Sequence, residues 1–335
     1  MLPDTTLLDA LTQRGVLINV SVRYWRACKK LNPEDLGLSR GQVDDRLISL
    51  GHKRLVPKES LQQLALFEGR AHALVEENTF PFLGGIAPYL PNAKLAEVNG
   101  KLKTIREDFQ MEQEEFLEQY SDLRDAALNE WRTVAHGLVD DPARLLAVID
   151  SAFPSAERMP RYFSFDVRTF QIAVPDVPQA QLIDIATQQE LIEVRRQAAE
   201  EARREIGQSC QEFVTDCVAT LREQTATLCS EMLQTIDGTK SVHQKTLNRL
   251  VRFIDHFREL NFAQDSEMEE QLDRVRKELL VRTAGEYRDS DFARAQLVNG
   301  LTTLRDRASD MAKADIAQLV DGFGKLGTRK FALAA

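Results

Sequence analysis

The chain has 335 residues, 43% hydrophobic and 28% charged, enough for a real core and for two or three domains or one elongated one. Aromatics make up 7%, and Gly and Pro number 16 and 11, which favours helices over a sandwich or barrel. A formal charge of -9 argues against wholesale coating of nucleic acid and leaves room for a local basic patch.

In chain order, a short helix is expected over Thr5 to Gln13, ending before Gly15. Val16, Ile18, Val20, Val22 and Tyr24 then alternate with Leu17, Asn19, Ser21, Arg23 and Trp25, the period-two signature of a strand. Asn32-Pro33-Glu34-Asp35 reads as a helix start, with an N-cap, Pro at the first position and acids in the first turn. Leu47 to Val56 is ambiguous. Lys58 to Glu77 predicts a helix with Leu61, Leu64, Phe67, Ala71 and Leu74 on one face, and Thr79 to Pro91 reads as a packed Pro/Gly-rich apolar loop.

Two long helices dominate the middle of the chain. Leu102, Ile105, Phe109, Phe116, Tyr120, Leu123, Ala127, Trp131, Val134 and Leu138 place one over about 101–138. Asp140-Asp141-Pro142 stops it and caps another, which runs to about Phe153. Arg161 to Val174 is a strand segment whose alternation slips by one after Val167, which predicts a bulge near Arg168 and Thr169. The second long helix covers about 179–237, with Ala199, Ala202, Ile206, Cys210, Phe213, Cys217, Leu221, Leu228, Met232 and Ile236 along its stripe. Shorter helices are expected at about 241–262, 265–283, 289–308 and 310–322.

The expected fold is mostly α: a long antiparallel, coiled-coil-like helical stalk with a small α+β N-terminal domain and a C-terminal helical bundle. The expected boundaries are 1–98 for the α+β domain, completed by the strand segment 161–175; 99–138 and 179–237 for the stalk; 139–178 for the connection; and 238–335 for the C-terminal helices. Whether the stalk packs within one chain or between copies stays open. The heptad pattern stutters near Ala127 and Trp131, which favours the intramolecular hairpin.

No catalytic constellation is apparent, and no enzyme and no cofactor are expected. Gly322-Phe323-Gly324-Lys325-Leu326-Gly327 spells a dinucleotide fingerprint, but a helix rather than a strand precedes it, so it reads as a helix stop. The five histidines, His52, His72, His136, His243 and His256, make no ligand cluster, and Cys28, Cys210, Cys217 and Cys229 make no Cys-x-x-Cys pair, so no metal is expected. No run of about 18 apolar residues exists, and the first residues carry no secretory pattern. The expected location is cytoplasmic, away from membranes.

One surface stands out. On the helix at about 241–262, Lys245, Arg249, Arg252 and His256 fall within about 60° of one another at 100° per residue. Leu247, Leu250, Val251, Ile254 and Phe257 take the opposite side. Such a stripe suits nucleic-acid phosphates or an acidic protein face. A second basic area comprises Arg23, Arg26, Lys29, Lys30, Lys53, Arg54 and Lys58, with Trp25 expected in the core.

Gly15-Val16-Leu17 leading to Trp25, Leu31-Asn32-Pro33-Glu34-Asp35-Leu36-Gly37, Leu50-Gly51-His52-Lys53-Arg54-Leu55, and Phe80-Pro81-Phe82 followed by Ala87-Pro88 resemble a bacterial family, domain of unknown function 3150. The resemblance implies genes on mobile elements beside MoxR-type AAA+ ATPases and von Willebrand A-type proteins. It therefore implies a scaffold or adaptor of a mobile-element or phage-related machine, with those proteins as partners and homo-oligomers also open. The alternative expectation is a nucleic-acid-binding protein of a mobile element or anti-phage defence system, using the stripe around Arg249.

Overall fold

In the computed structural model the described residues are 6–39, 43–44, 46–82, 85, 87–173, 185–239, 241–314 and 316–327, with side chains described outside 185–195 and 326–327. In chain order the elements are α1 (Thr6–Arg14), β1 (Gly15–Arg23), β2 (Cys28–Lys30), β3 (His52–Arg54), α2 (Gln62–Asn78), β4 (Phe80–Phe82), β5 (Ala87–Pro91), α3 (Asn92–Leu138), α4 (Pro142–Ala152), β6 (Ser164–Phe170), α5 (Ile185–Thr239), α6 (Gln244–Leu260), α7 (Ser266–Glu278), α8 (Ala284–Asp289), α9 (Asp291–Lys313) and α10 (Ala317–Gly327). The protein is mostly helical, with a small sheet drawn mainly from its N-terminal part.

The sheet order is β4-β5-β1-β6, and β2 pairs with β3 in a separate ribbon. β1 and the later segment β6 are neighbours, in line with the expectation that the segment 161–175 joins the N-terminal strand. The expected Pro/Gly-rich loop after α2 is instead two antiparallel strands, with Phe80 opposite Tyr89, Pro81 opposite Pro88 and Phe82 opposite Ala87. Phe80, Phe82, Tyr89 and Leu90 are buried, which supplies the driving force that the prolines concealed. Opposed prolines fit the ladder position at which facing residues exchange no N–H bonds. β6 runs Ser164–Phe170, so the expected slip near Arg168 and Thr169 falls inside the strand, and the strand stops short of the expected Val174, which lies outside the described residues.

The chain divides into two compact units, one of residues 1–18, 78–96 and 169–335, the other of 19–77 and 97–168. In the second unit the stripe of α3 is buried at Leu102, Ile105, Phe109, Phe116, Tyr120 and Ala127. Beyond Trp131 the buried position is Ala135, while Val134 and Leu138 are half exposed, at 50% and 51%. The stripe therefore rotates off the expected positions where the heptads stutter. Trp25 is buried as expected, its ring centroid 6.1 Å from Phe116, 5.8 Å from Tyr120 and 5.9 Å from Phe153. Tyr120 Oη donates to the Pro154 carbonyl at 2.6 Å. The Asp141 carboxylate caps α4 by accepting from the Arg144 N–H at 3.1 Å. The helix expected after Asn32 is a single 3-10 turn, Pro33–Leu36, ended by Gly37 at φ 75°.

In the first unit α5 packs mainly against α9. The pair is antiparallel: Arg222 Nη1 donates to the Met311 carbonyl at 2.6 Å, while the Arg305 charge acts on Cys229 further along α5. Each long stripe is thus covered over part of its length by shorter elements of its own unit. Phe82, Tyr89, Phe213, Phe262 and Phe323 form an aromatic cluster there, with Phe82 to Phe213 at 4.6 Å and Phe262 to Phe323 at 5.7 Å between centroids. Several expected boundaries move. α3 begins at Asn92, and α5 is described from Ile185, leaving the expected 179–184 outside the described residues. The expected helix over 265–283 stops at Glu278, and Thr283 starts α8 with a capping box to Glu286. The stretch expected to stop a helix at Gly322 lies inside α10, where Phe323 is 1% exposed, so the fingerprint letters form no phosphate loop.

Candidate functional site

α6 buries Leu247, Leu250, Ile254, Phe257 and Leu260 at helical spacing, leaving Lys245, Arg249 and Arg252 exposed on the other side and His256 half-buried. Val251 is half-buried rather than fully buried. The stripe is one face, as the spacing predicts, but an acid of α5 meets part of its charge. Arg249 Nη2 lies 2.6 Å from Glu231 Oε2 on α5. The Arg252 Nε donates to the Asn248 carbonyl, one turn back, at 3.3 Å. Further along the helix Asp255 pairs with Arg276, and Arg258 with Asp273 and Glu269, which are residues of α7. Of the stripe's cations Arg249 is matched by an acid from another helix, while the pairs of Asp255 and Arg258 lie beside the stripe rather than on it.

Below α6 lies a buried polar network that periodicity did not reveal. Arg222 Nε donates to Asp265 Oδ2 at 2.7 Å. Asp265 Oδ1 accepts from the Met268 N–H at 3.2 Å and so caps α7. Asn261 Oδ1 accepts from the Asp265 N–H at 2.8 Å, closing the turn that holds Gln264 at φ 61°. Buried Lys94, in the first turn of α3, pairs with Glu259. Each charge is met, which is what burial of ionised groups demands.

The second basic area is dispersed over three settings. Arg23 Nε donates to Ser164 Oγ at 2.9 Å. Lys53 is buried, and its Nζ lies 2.5 Å from Asp35 Oδ2, the carboxylate that also accepts from the Asn32 N–H at 2.8 Å. Lys29 stands opposite Lys53 in the β2–β3 ribbon but remains exposed. Arg26, Arg54 and Lys58 line one cavity of about 600 Å³. Cys28 is exposed, whereas Cys210, Cys217 and Cys229 are buried. Burial pushes the Cys210 and Cys229 thiols up to about 12 and Cys217 in the same direction, so these three are protonated packing groups.

Among the described residues, no group of three or more His, Cys, Asp or Glu side chains is arranged to hold a metal ion, and no helix is long and apolar enough to cross a membrane. The described chemistry is that of a helical protein with a small sheet and a mixed-charge helix face. A family model described as "Protein of unknown function (DUF3150)" matches residues 12–303, and the chain belongs to that family. No curated protein and no solved structure matches the chain.

Proposed function

We propose that the protein is a non-enzymatic scaffold or adaptor subunit of a bacterial mobile-element or phage-related machine, acting with a MoxR-type AAA+ ATPase through its long helices. The observation that carries this reading is a mismatch of lengths. α5 has 55 residues, about 83 Å at 1.5 Å per residue, whereas the α9 that packs along it has 23 residues, about 35 Å, with shorter contacts added by α1, α6 and α10. Along 196–208 of α5, Ala199 is buried and the other residues are exposed or half-buried. A helix that outruns its cover offers a rigid surface for another protein, and the alternating Glu and Arg of this stretch keep it soluble until a partner binds.

The nucleic-acid alternative rests on Lys245, Arg249, Arg252 and His256. The pairing of Arg249 with Glu231, and the acids flanking the stripe, favour an acidic or mixed protein face over a polyphosphate backbone. Tagged protein expressed with its neighbouring ATPase and von Willebrand A-type genes should co-purify with the ATPase. Glu200→Arg with Glu201→Arg should weaken that retention without loss of helical circular dichroism. A monomer that retains neither neighbour would overturn the reading.

A further inference from the structure

We infer that the cavity beside the β2–β3 ribbon binds a small ligand through a phosphate group. Three cationic side chains line it: Arg26, Arg54 and Lys58. Arg26 is held in place. Its guanidinium carbon lies 4.0 Å from the Tyr24 ring centroid, one terminal nitrogen donates to Tyr24 Oη at 2.5 Å, and the other to Glu68 Oε1 at 2.5 Å. A guanidinium carries five N–H donors, so these two bonds fix its plane and leave donors for a ligand.

Arg54 is the complementary group. Its carbonyl accepts from Trp131 Nε1 at 3.0 Å, which anchors its backbone, while among the described residues its guanidinium has no ion-pair or hydrogen-bond partner. In the ribbon it stands opposite Cys28, and by the two-residue period Lys30 and His52 share that face. The carboxylate facing the cavity is Glu59, whose 3.9 Å contact with Lys58 is solvent-exposed on both sides and therefore weak. Glu68 is already committed to Arg26. Cations thus outnumber carboxylates around a concave surface, and the rest of the wall sets apolar Val56, Leu61 and Ala65 beside polar Gln62. The volume, about 600 Å³, is that of a small-molecule site. Two guanidiniums and an ammonium suit a dianionic phosphate, and the apolar wall suits the organic part attached to it.

Cys28 supplies the readout, because it lines the same cavity and is exposed while the other three cysteines are buried. Alkylation of the full-length protein by iodoacetamide, followed by peptide mapping, reports its accessibility. Pyrophosphate and adenosine 5′-monophosphate should each slow labelling of Cys28 at least threefold and saturably, with sodium chloride at equal ionic strength having no such effect. Stronger protection by the monophosphate would assign the apolar wall to the organic part, and equal protection would assign recognition to the phosphate alone. Arg54→Gln, an exposed change that leaves the Arg26 clamp intact, should abolish protection while preserving the thermal melt. Equal labelling with and without both anions, equal protection by chloride, or full protection in Arg54→Gln would each overturn the assignment.

Discussion

Arg222 and Asp265 form an ion pair 2.7 Å apart whose side chains are 5% and 2% exposed. It links α5 to the cap of α7, and through the second contact of Arg222 to the end of α9. Breaking one half of such a pair strands a charge in the interior, so the two residues behave as a unit.

Asp265→Ala should therefore cost about 3–5 kcal/mol, the range for removing one partner of a buried pair. The double change Arg222→Met with Asp265→Leu should cost less than the sum of the two single changes, because it leaves no orphaned charge. Urea unfolding of the three variants measures the coupling. Additive effects would show that the pair is not coupled.

Gly15 carries a different kind of constraint. A Cβ there would stand 2.5 Å from Tyr89 Cζ and 2.6 Å from the Leu90 carbonyl oxygen on the paired strand. Because one of those atoms is backbone, Gly15→Ala should destabilise by about 1–3 kcal/mol. Gly69→Ala, in α2 with nothing within 4 Å of the added carbon, should instead stabilise by up to about 1 kcal/mol. Thermal melts of the two variants should shift in opposite directions.

The buried thiols set an alkaline limit. In the unfolded chain they ionise at about 8.5, whereas burial raises Cys210 and Cys229 to about 12 in the fold. Above the unfolded value the native state binds more protons, so this contribution is complete below about 8.5 and is lost as pH rises toward the folded value. The urea midpoint should decline between about pH 8.5 and 11, and less steeply in Cys210→Ala with Cys229→Ala. An unchanged slope in that variant would remove the thiols as the cause.

Charge reversal on α6 separates the two functional readings. Arg249→Glu sets a carboxylate against Glu231 at the surface and should cost under about 1 kcal/mol. Arg249→Glu with Arg252→Glu should leave retention on a DNA column at low salt unchanged if α6 is a protein-contact face. A marked loss of retention, with the fold intact, would favour nucleic acid.

β1 is legible in the sequence because β-branched residues recur at every second position from Val16 to Val22, and α6 because its apolar face repeats at helical spacing. β4 and β5 are not, since three-to-five-residue strands containing Pro81, Pro88 and Pro91 resemble a loop until Phe80 and Tyr89 are seen opposite each other. The same limit governs charge. The stripe of Lys245, Arg249 and Arg252 follows from local periodicity, but Glu231, which pairs with Arg249, belongs to another helix. Lys53 reads as one cation of a basic area, yet Asp35, 18 positions earlier, meets it in the interior. Long-range pairing decides whether a charge is offered or spent, and spacing along one helix carries no record of it.

Pro81 has a consequence for assembly. β4 is the outer strand on one side of the four-stranded sheet, and it is three residues long with a proline at its centre. A strand arriving from another molecule would need donors along that margin, and the central residue has none to give. Growth of the sheet in that direction is thereby blocked, so aggregation by strand addition at β4 is disfavoured even though Phe80 and Phe82 make the segment strongly apolar.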